Sequence, residues 1–269
     1  MGNDLAVAVG EDLVEVLLQA GGAAVLCLAV MVLCRRAAVH VERETVVSLL
    51  RGFLQIALVG VVLALVLHRG FGVGILILLS MMIAAAAIAS RRTGGIPGAF
   101  GICFLAVAAG SGTTIATMAA IGAVTADLAT LVPVGSMVIA SAMTSASQAA
   151  ERFRADVVAR KGLVETALAL GAAPAKAVAA QVRSAVYASL IPRLDALKSL
   201  GIVWVPGMMA GMIVSGANPV FAGIYQFIVM AMIYAASAIT ALAATLLLRT
   251  RIFTPAEQLS LQPVRTTRY

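Results

Sequence analysis

The chain has 269 residues, 62% of them apolar and only 12% charged, with a formal net charge of +7. Soluble domains run at about 45–50% apolar and about 25% charged. This composition therefore excludes a soluble globular enzyme, a disordered chain and a disulfide-stapled secreted module. Each membrane-spanning helix takes roughly 20 apolar residues, and here they fall in long blocks. The expected fold is all-α: a single polytopic transmembrane domain over residues 1–269, with about seven transmembrane helices. A β-barrel would alternate apolar and polar residues, whereas runs such as Leu54–Leu67 are apolar on every face.

In chain order the blocks lie at about 13–34, 46–67, 71–90, 98–124, 131–150, 199–216 and 220–248. Ahead of the first, Asp4, Glu11, Asp12 and Glu15 make the N-terminus acidic where a signal peptide starts basic, so no cleavable signal is expected. Residues 35–50 carry charge on one side and Val39, Val41, Val46 and Val47 on the other, which predicts an interfacial stretch before the second block. Cys27, Cys34 and Cys103 sit within or at the end of apolar blocks without a CxxC partner and read as buried, inert thiols. Between blocks five and six, about 151–198 is rich in Ala, Arg and Lys, broken only by Gly162, Gly171, Pro174 and Pro192. It reads as two or three cytoplasmic helices, some extending the membrane helices, and an insert that long is usually functional.

The charges orient the chain. Of 19 basic residues, 18 fall in alternate connections and at the C-terminus; Arg69 alone falls on the other side, with Asp4, Glu11, Asp12, Glu15 and Asp127. The positive-inside rule places the N-terminus outside and the C-terminus in the cytoplasm. The same rule accounts for the basic charge, so no nucleic acid is implied and membrane lipid is the expected surrounding.

Chemical motifs are scarce. No glycine is followed by lysine, so no phosphate loop is present, and no catalytic residue is assigned. His40 and His68 lie at span ends on opposite sides of the membrane. No block holds a central Asp, Glu, Lys or His, which argues against a proton-coupled carrier. Uphill transport would then draw its energy from a partner.

Residues 165–174 read Glu165-Thr166-Ala167-Leu168-Ala169-Leu170-Gly171-Ala172-Ala173-Pro174. This resembles the E-A-A-x-x-x-G loop of ABC-transporter permeases, which docks in a cleft of a separate ATPase subunit. The resemblance implies ATPase-coupling roles for Glu165, Ala167, Gly171, Ala172 and Pro174. The I-x-L-P element that follows in importers is displaced: Ile191-Pro192 comes about twenty residues after the glycine. Pro133-Val134-Gly135-Ser136-Met137-Val138-Ile139, then Met143, Ser147 and Glu151-Arg152-Phe153, and later Pro206-Gly207-Met208-Met209-Ala210-Gly211, resemble one permease family. So do Gly216, Pro219, Tyr225-Gln226 and Met230. This is the FetB-type family, whose bacterial members are described as iron-export permeases and whose plant relatives are associated with aluminium tolerance, with a sugar nucleotide proposed as cargo. Members often carry Asn where Ser141 stands. The resemblance implies a single permease domain that forms a homodimer in the bacterial inner membrane, exporting iron or another metal ion with a cytosolic ABC ATPase subunit that holds the ATP and Mg²⁺, no cofactor being bound by this chain. A stand-alone carrier or channel, an ABC permease for a sugar nucleotide or other small solute, and a non-transporting scaffold are the alternatives.

A candidate translocation path follows from helical spacing. Met137, Ser141, Thr144, Ser145 and Gln148 fall within about a 100° arc of one helix, and Met208, Met212 and Ser215 repeat the spacing after the Pro206-Gly207 break. Thioethers suit soft ions, and no tight hard-ion site is expected, so the metal is unassigned. The stripe equally fits helix packing, in which Ser, Thr and Met are common.

Overall fold

The computed structural model describes residues 2–37, 42–66, 71–122 and 128–261. Two units are distinguished, and each is taken by itself. The first holds α1 (Gly2–Arg36) and α2 (Glu42–Val66). Their described apolar side chains are almost all exposed, as in Leu26, Leu54 and Ile56, which suits helices surrounded by hydrocarbon rather than by protein. Glu42 already opens α2, so Val46 and Val47 belong to that helix rather than to a separate interfacial stretch. Val39, Val41, His40, His68, Arg69 and Asp127 lie outside the described residues, and Cys27 and Cys34 are partly exposed.

The second unit runs α3 (Phe71–Arg91), α4 (Ala99–Val107), a π-helical turn (Ala108–Gly112), α5 (Thr113–Ala120), α6 (Leu128–Ala159), α7 (Lys161–Ala169), α8 (Pro174–Ala177), α9 (Ala179–Ser199), α10 (Gly207–Val214) and α11 (Pro219–Leu248). Among the described residues, six helices are long and apolar enough to cross a membrane, the α4–α5 span counted as one. The block at 199–216 does not form a seventh. Gly201 turns the chain with φ +76°, Pro206 precedes α10, and Gly216 ends α10 with φ +91°, so only eight residues there are helical.

α6 and α11 form the centre. Each presents small residues inward, Ala142, Ala146 and Ala149 on α6 and Ala236, Ala241 and Ala244 on α11, all fully buried. Small side chains let backbones approach where lipid offers no hydrophobic drive for association. α3 joins through Leu78, Met82, Ala85 and Ala89, and α4 through Cys103, Ala106 and Val107, in one apolar cluster with α6 and α11. A second cluster joins Phe153 and Val157 of α6, Val164 of α7, Val178, Val182 and Ala185 around α9, and Leu248 and Ile252 at the end of α11. α9 begins in this cluster and ends with Ala196, Leu197 and Leu200 against the first, so it runs antiparallel to α6.

The π-helical turn interrupts the α4–α5 span at mid-length and lies on α11. Carbonyls around it accept local hydroxyls: Ser111 donates to Val107 at 2.6 Å and Thr114 to Gly110 at 2.7 Å. Gly110 is required by proximity, because a Cβ there would collide with the Thr240 hydroxyl and the Ala236 carbonyl. Gly110→Val is therefore expected to cost about 1–3 kcal/mol, the usual range for overpacking, read as a lowered Tm of the detergent-purified protein. Gly101→Val, where nothing lies within 4 Å, should leave Tm close to its starting value.

Candidate functional site

Residues 161–177 build a presented turn. α7 is anchored by Val164 and Leu168, one helical turn apart, in the second cluster. Its opposite side is open: Leu163 and Leu170 are 70% and 83% exposed, and Glu165 pairs with Lys161 at 3.5 Å with about half its side chain in solvent. The helix ends in a Schellman motif. Gly171 N–H donates to the Leu168 carbonyl at 2.9 Å, and Ala172 N–H to the Ala167 carbonyl at 2.9 Å. Gly171 takes the left-handed conformation this motif needs, with φ +82°. Pro174 then opens α8, where its missing N–H has no role. Of the five residues suggested for coupling, Ala167, Gly171, Ala172 and Pro174 thus set the turn, and Glu165 stands exposed on α7.

A short hairpin after α11 braces this turn, and nothing in the sequence pattern announced it. Ser260 N–H donates to the Ile252 carbonyl and Thr254 N–H to the Gln258 carbonyl, both at 2.8 Å. Glu257 occupies the tip with φ +58°. Ile252 is fully buried in the second cluster, with Phe253, Leu259 and Leu261 packed against it beside Leu168. A cleft of about 490 Å³ lies between Glu165 and Leu168 on one side and Glu257, Gln258 and Leu259 on the other.

At the far end of α6 a cavity of about 980 Å³ opens between the first turns of α6, α10 and the start of α11. Its lining includes Met137, Met208, Met212 and Met230, with Trp204, Tyr225 and Gln226. Gln226 is 3% exposed and its Oε1 accepts no hydrogen bond in the structure. The volume lies at the upper end of ordinary small-molecule sites, and among the described residues no Asp, Glu, Lys, Arg or His lines the cavity.

The structure divides the candidate path. Met137, Met208 and Met212 meet in the cavity. Ser141 and Ser145 are buried within the bundle, where Ser145 Oγ has no hydrogen-bond partner. Thr144 and Gln148 lie on the outer face with Met137, and Thr144 returns its proton to the Ala140 carbonyl at 2.9 Å. Ser215 is exposed at the end of α10, bonded to the Gly211 carbonyl at 2.8 Å. Trp204 and Thr130 join the cavity without having been singled out by spacing. Among the described residues no group of three or more His, Cys, Asp or Glu is placed to hold a metal ion.

Comparison with known proteins is consistent with this membrane architecture. The chain is 34% identical over 220 residues to the UPF0014 membrane protein STAR2 of Oryza sativa subsp. japonica, covering 81% of this chain and 77% of that one. It is 33% identical over 238 residues to the protein ALUMINUM SENSITIVE 3 of Arabidopsis thaliana, covering 88% and 87%. It is 29% identical over 219 residues to the probable iron export permease protein FetB of Escherichia coli (strain K12), covering 81% and 85%. No solved structure matches the chain. With residues 17–253 matching the family profile as well, the chain belongs to the Uncharacterised protein family UPF0014.

Proposed function

We propose that this chain is the membrane-spanning permease subunit of an ABC transporter that exports iron or another metal ion, powered by ATP and Mg²⁺ in a separate cytosolic ATPase subunit. The observation that carries the reading is the presented turn at 161–177. A helix held rigidly from behind by Val164 and Leu168, with Glu165, Leu163 and Leu170 turned outward, is what a docking element requires. A polar anchor flanked by exposed leucines fits a cleft in a partner better than it fits water. The name of the Escherichia coli relative supports export of iron, and those of the plant relatives are compatible with other cargo.

In this reading the N-terminus is outside, the turn and the C-terminal hairpin are cytoplasmic, and two copies of the chain work with the ATPase in a bacterial inner membrane. ATPase closure would push on α7, and the second cluster would pass that displacement to α6, α9 and α11. The methionine-lined cavity at the opposite end is the release side of the path. Thioethers hold soft ions weakly and reversibly, which suits a site that cargo must leave.

Two experiments test this. Gly171→Val forces a β-branched residue into the left-handed region, costing roughly 1–2 kcal/mol at the turn. It should weaken co-purification with the ATPase by about tenfold while leaving helical content unchanged; normal assembly and normal flux would sink the docking reading. Single cysteines at Ala6 and Ala159, in a chain lacking the native cysteines, should label from outside and inside respectively. Labelling of position 159 from outside would invert the scheme.

A further inference from the structure

We propose that the exposed stripe of α9 from Tyr187 to Lys198 is where a second copy of this chain docks. Asp195 of each copy pairs with Lys198 of the other. That two copies associate belongs to the permease reading above; the choice of face rests on charge and depth.

One hydrogen bond fixes the level of α9. Ser184 Oγ donates to Asp156 Oδ2 of α6 at 2.8 Å, and the two helices run antiparallel. Counted on from that bond, Asp195 comes level with Ser145 and Lys198 with Ala142. On α6 the apolar stretch ends at Glu151 and Arg152. At 1.5 Å per residue the two charges therefore lie about 9 and about 13 Å inside that stretch, against roughly 30 Å for a whole hydrocarbon core. α9 enters the layer and stops within it.

Both side chains are open there: Asp195 is 63% and Lys198 74% exposed, and they pair with each other at 3.4 Å. Charged pairs at such depth lie against water or other protein, not against lipid tails. The exposed positions of other helices in this unit differ in kind. α3 shows Leu76 and Ile83, and α11 shows Phe227 and Leu242, side chains that hydrocarbon accepts. α9 shows Tyr187, 66% exposed, and Ile191 beside the pair, and neighbouring α6 shows Ala140 and Gln148. An aromatic ring, an aliphatic side chain and an ion pair together suit a protein interface.

The stripe is complementary to itself. At 100° per residue, Asp195 stands about 40° to one side of Ile191 and Lys198 about 20° to the other. Copies inserted in the same orientation are related by a two-fold axis along the membrane normal. With Ile191 at the centre, that axis brings each side of one helix against the opposite side of its partner. Each Asp195 then meets Lys198 of the other copy, about 4.5 Å away along the axis. A neutral pair that is its own complement points to a copy of this chain rather than to an unrelated partner.

The test uses the whole chain in membranes and needs neither cargo nor ATPase. Two differently tagged copies are co-expressed, one carrying Asp195→Lys and the other Lys198→Asp. Each variant places two like charges on its own stripe, so it repels itself and attracts the other. Mixed dimers are expected about tenfold above either self-paired dimer, measured by tag-specific pull-down after solubilisation. In a chain lacking native cysteines, Ile191→Cys should give a disulfide-linked dimer on oxidation. Ile83→Cys on α3 and Leu242→Cys on α11 should not. Statistical mixing of the two charge variants would overturn the reciprocal pairing. Dimers linked at 83 or 242 but not at 191 would overturn the face and leave the two-copy reading standing. No link at any position, with a monomer mass in lipid nanodiscs, would overturn both. If the charge variants fail to insert, Ile191→Cys, which leaves both charges in place, decides the face.

Discussion

Close approach of α6 and α11 is the constraint on which the second unit depends. Lipid gives two apolar helices no hydrophobic reason to associate, so dispersion contacts between well-fitted surfaces must supply the attraction. Fully buried alanines at 142, 146 and 149 of α6 and at 236, 241 and 244 of α11 leave room for that fit. The other elements are placed by it. α3 comes up to Gly135 through Leu78, and the π-helical turn settles on α11 where Gly110 leaves room for Thr240. Larger residues at these positions would push the helix pair apart and loosen both ends of this unit.

Those ends differ in chemistry. One holds a cavity lined, among the described residues, by thioethers, aromatic rings and a single buried amide. The other is polar, with a presented turn, two short helices and a hairpin held against a compact apolar cluster. α6 and α11 reach both, and α9 connects them a third time. The rigid polar end gives purchase to another protein, whereas the cavity end offers thioethers, aromatic rings and an amide.

Much of this was legible in the sequence. Continuous apolar runs announced α3, α6 and α11, and a glutamate and glycine six residues apart announced a turn that does end in a left-handed glycine. Block 199–216 has the composition of a span but not its continuity, and Gly201, Pro206 and Gly216 govern the result. The reverse holds for α9, whose polar composition hid a helix packed along α6, because one buried face needs few apolar positions when neighbours supply the rest. The hairpin at 252–260 was invisible for another reason. Ile252, Phe253 and Leu259 have no periodicity of their own, and only the cluster beside them makes their pairing favourable. The methionines at 137, 208 and 212 were found by spacing, while Trp204 was missed because it stands in an irregular segment where spacing carries no information.

The length of α6 has a mechanical consequence. Its 32 residues make a rod of about 48 Å, well beyond the roughly 30 Å of hydrocarbon. Pivoting about its centre by about 10°, such a rod swings each tip through roughly 4 Å in opposite senses. A displacement applied at Phe153 thus reappears, reversed in direction, at Met137 and Pro133, with no change in the helix itself. The α4–α5 span beside it, broken at mid-length by a turn of small residues, has no such stiffness and can bend where α6 must tilt.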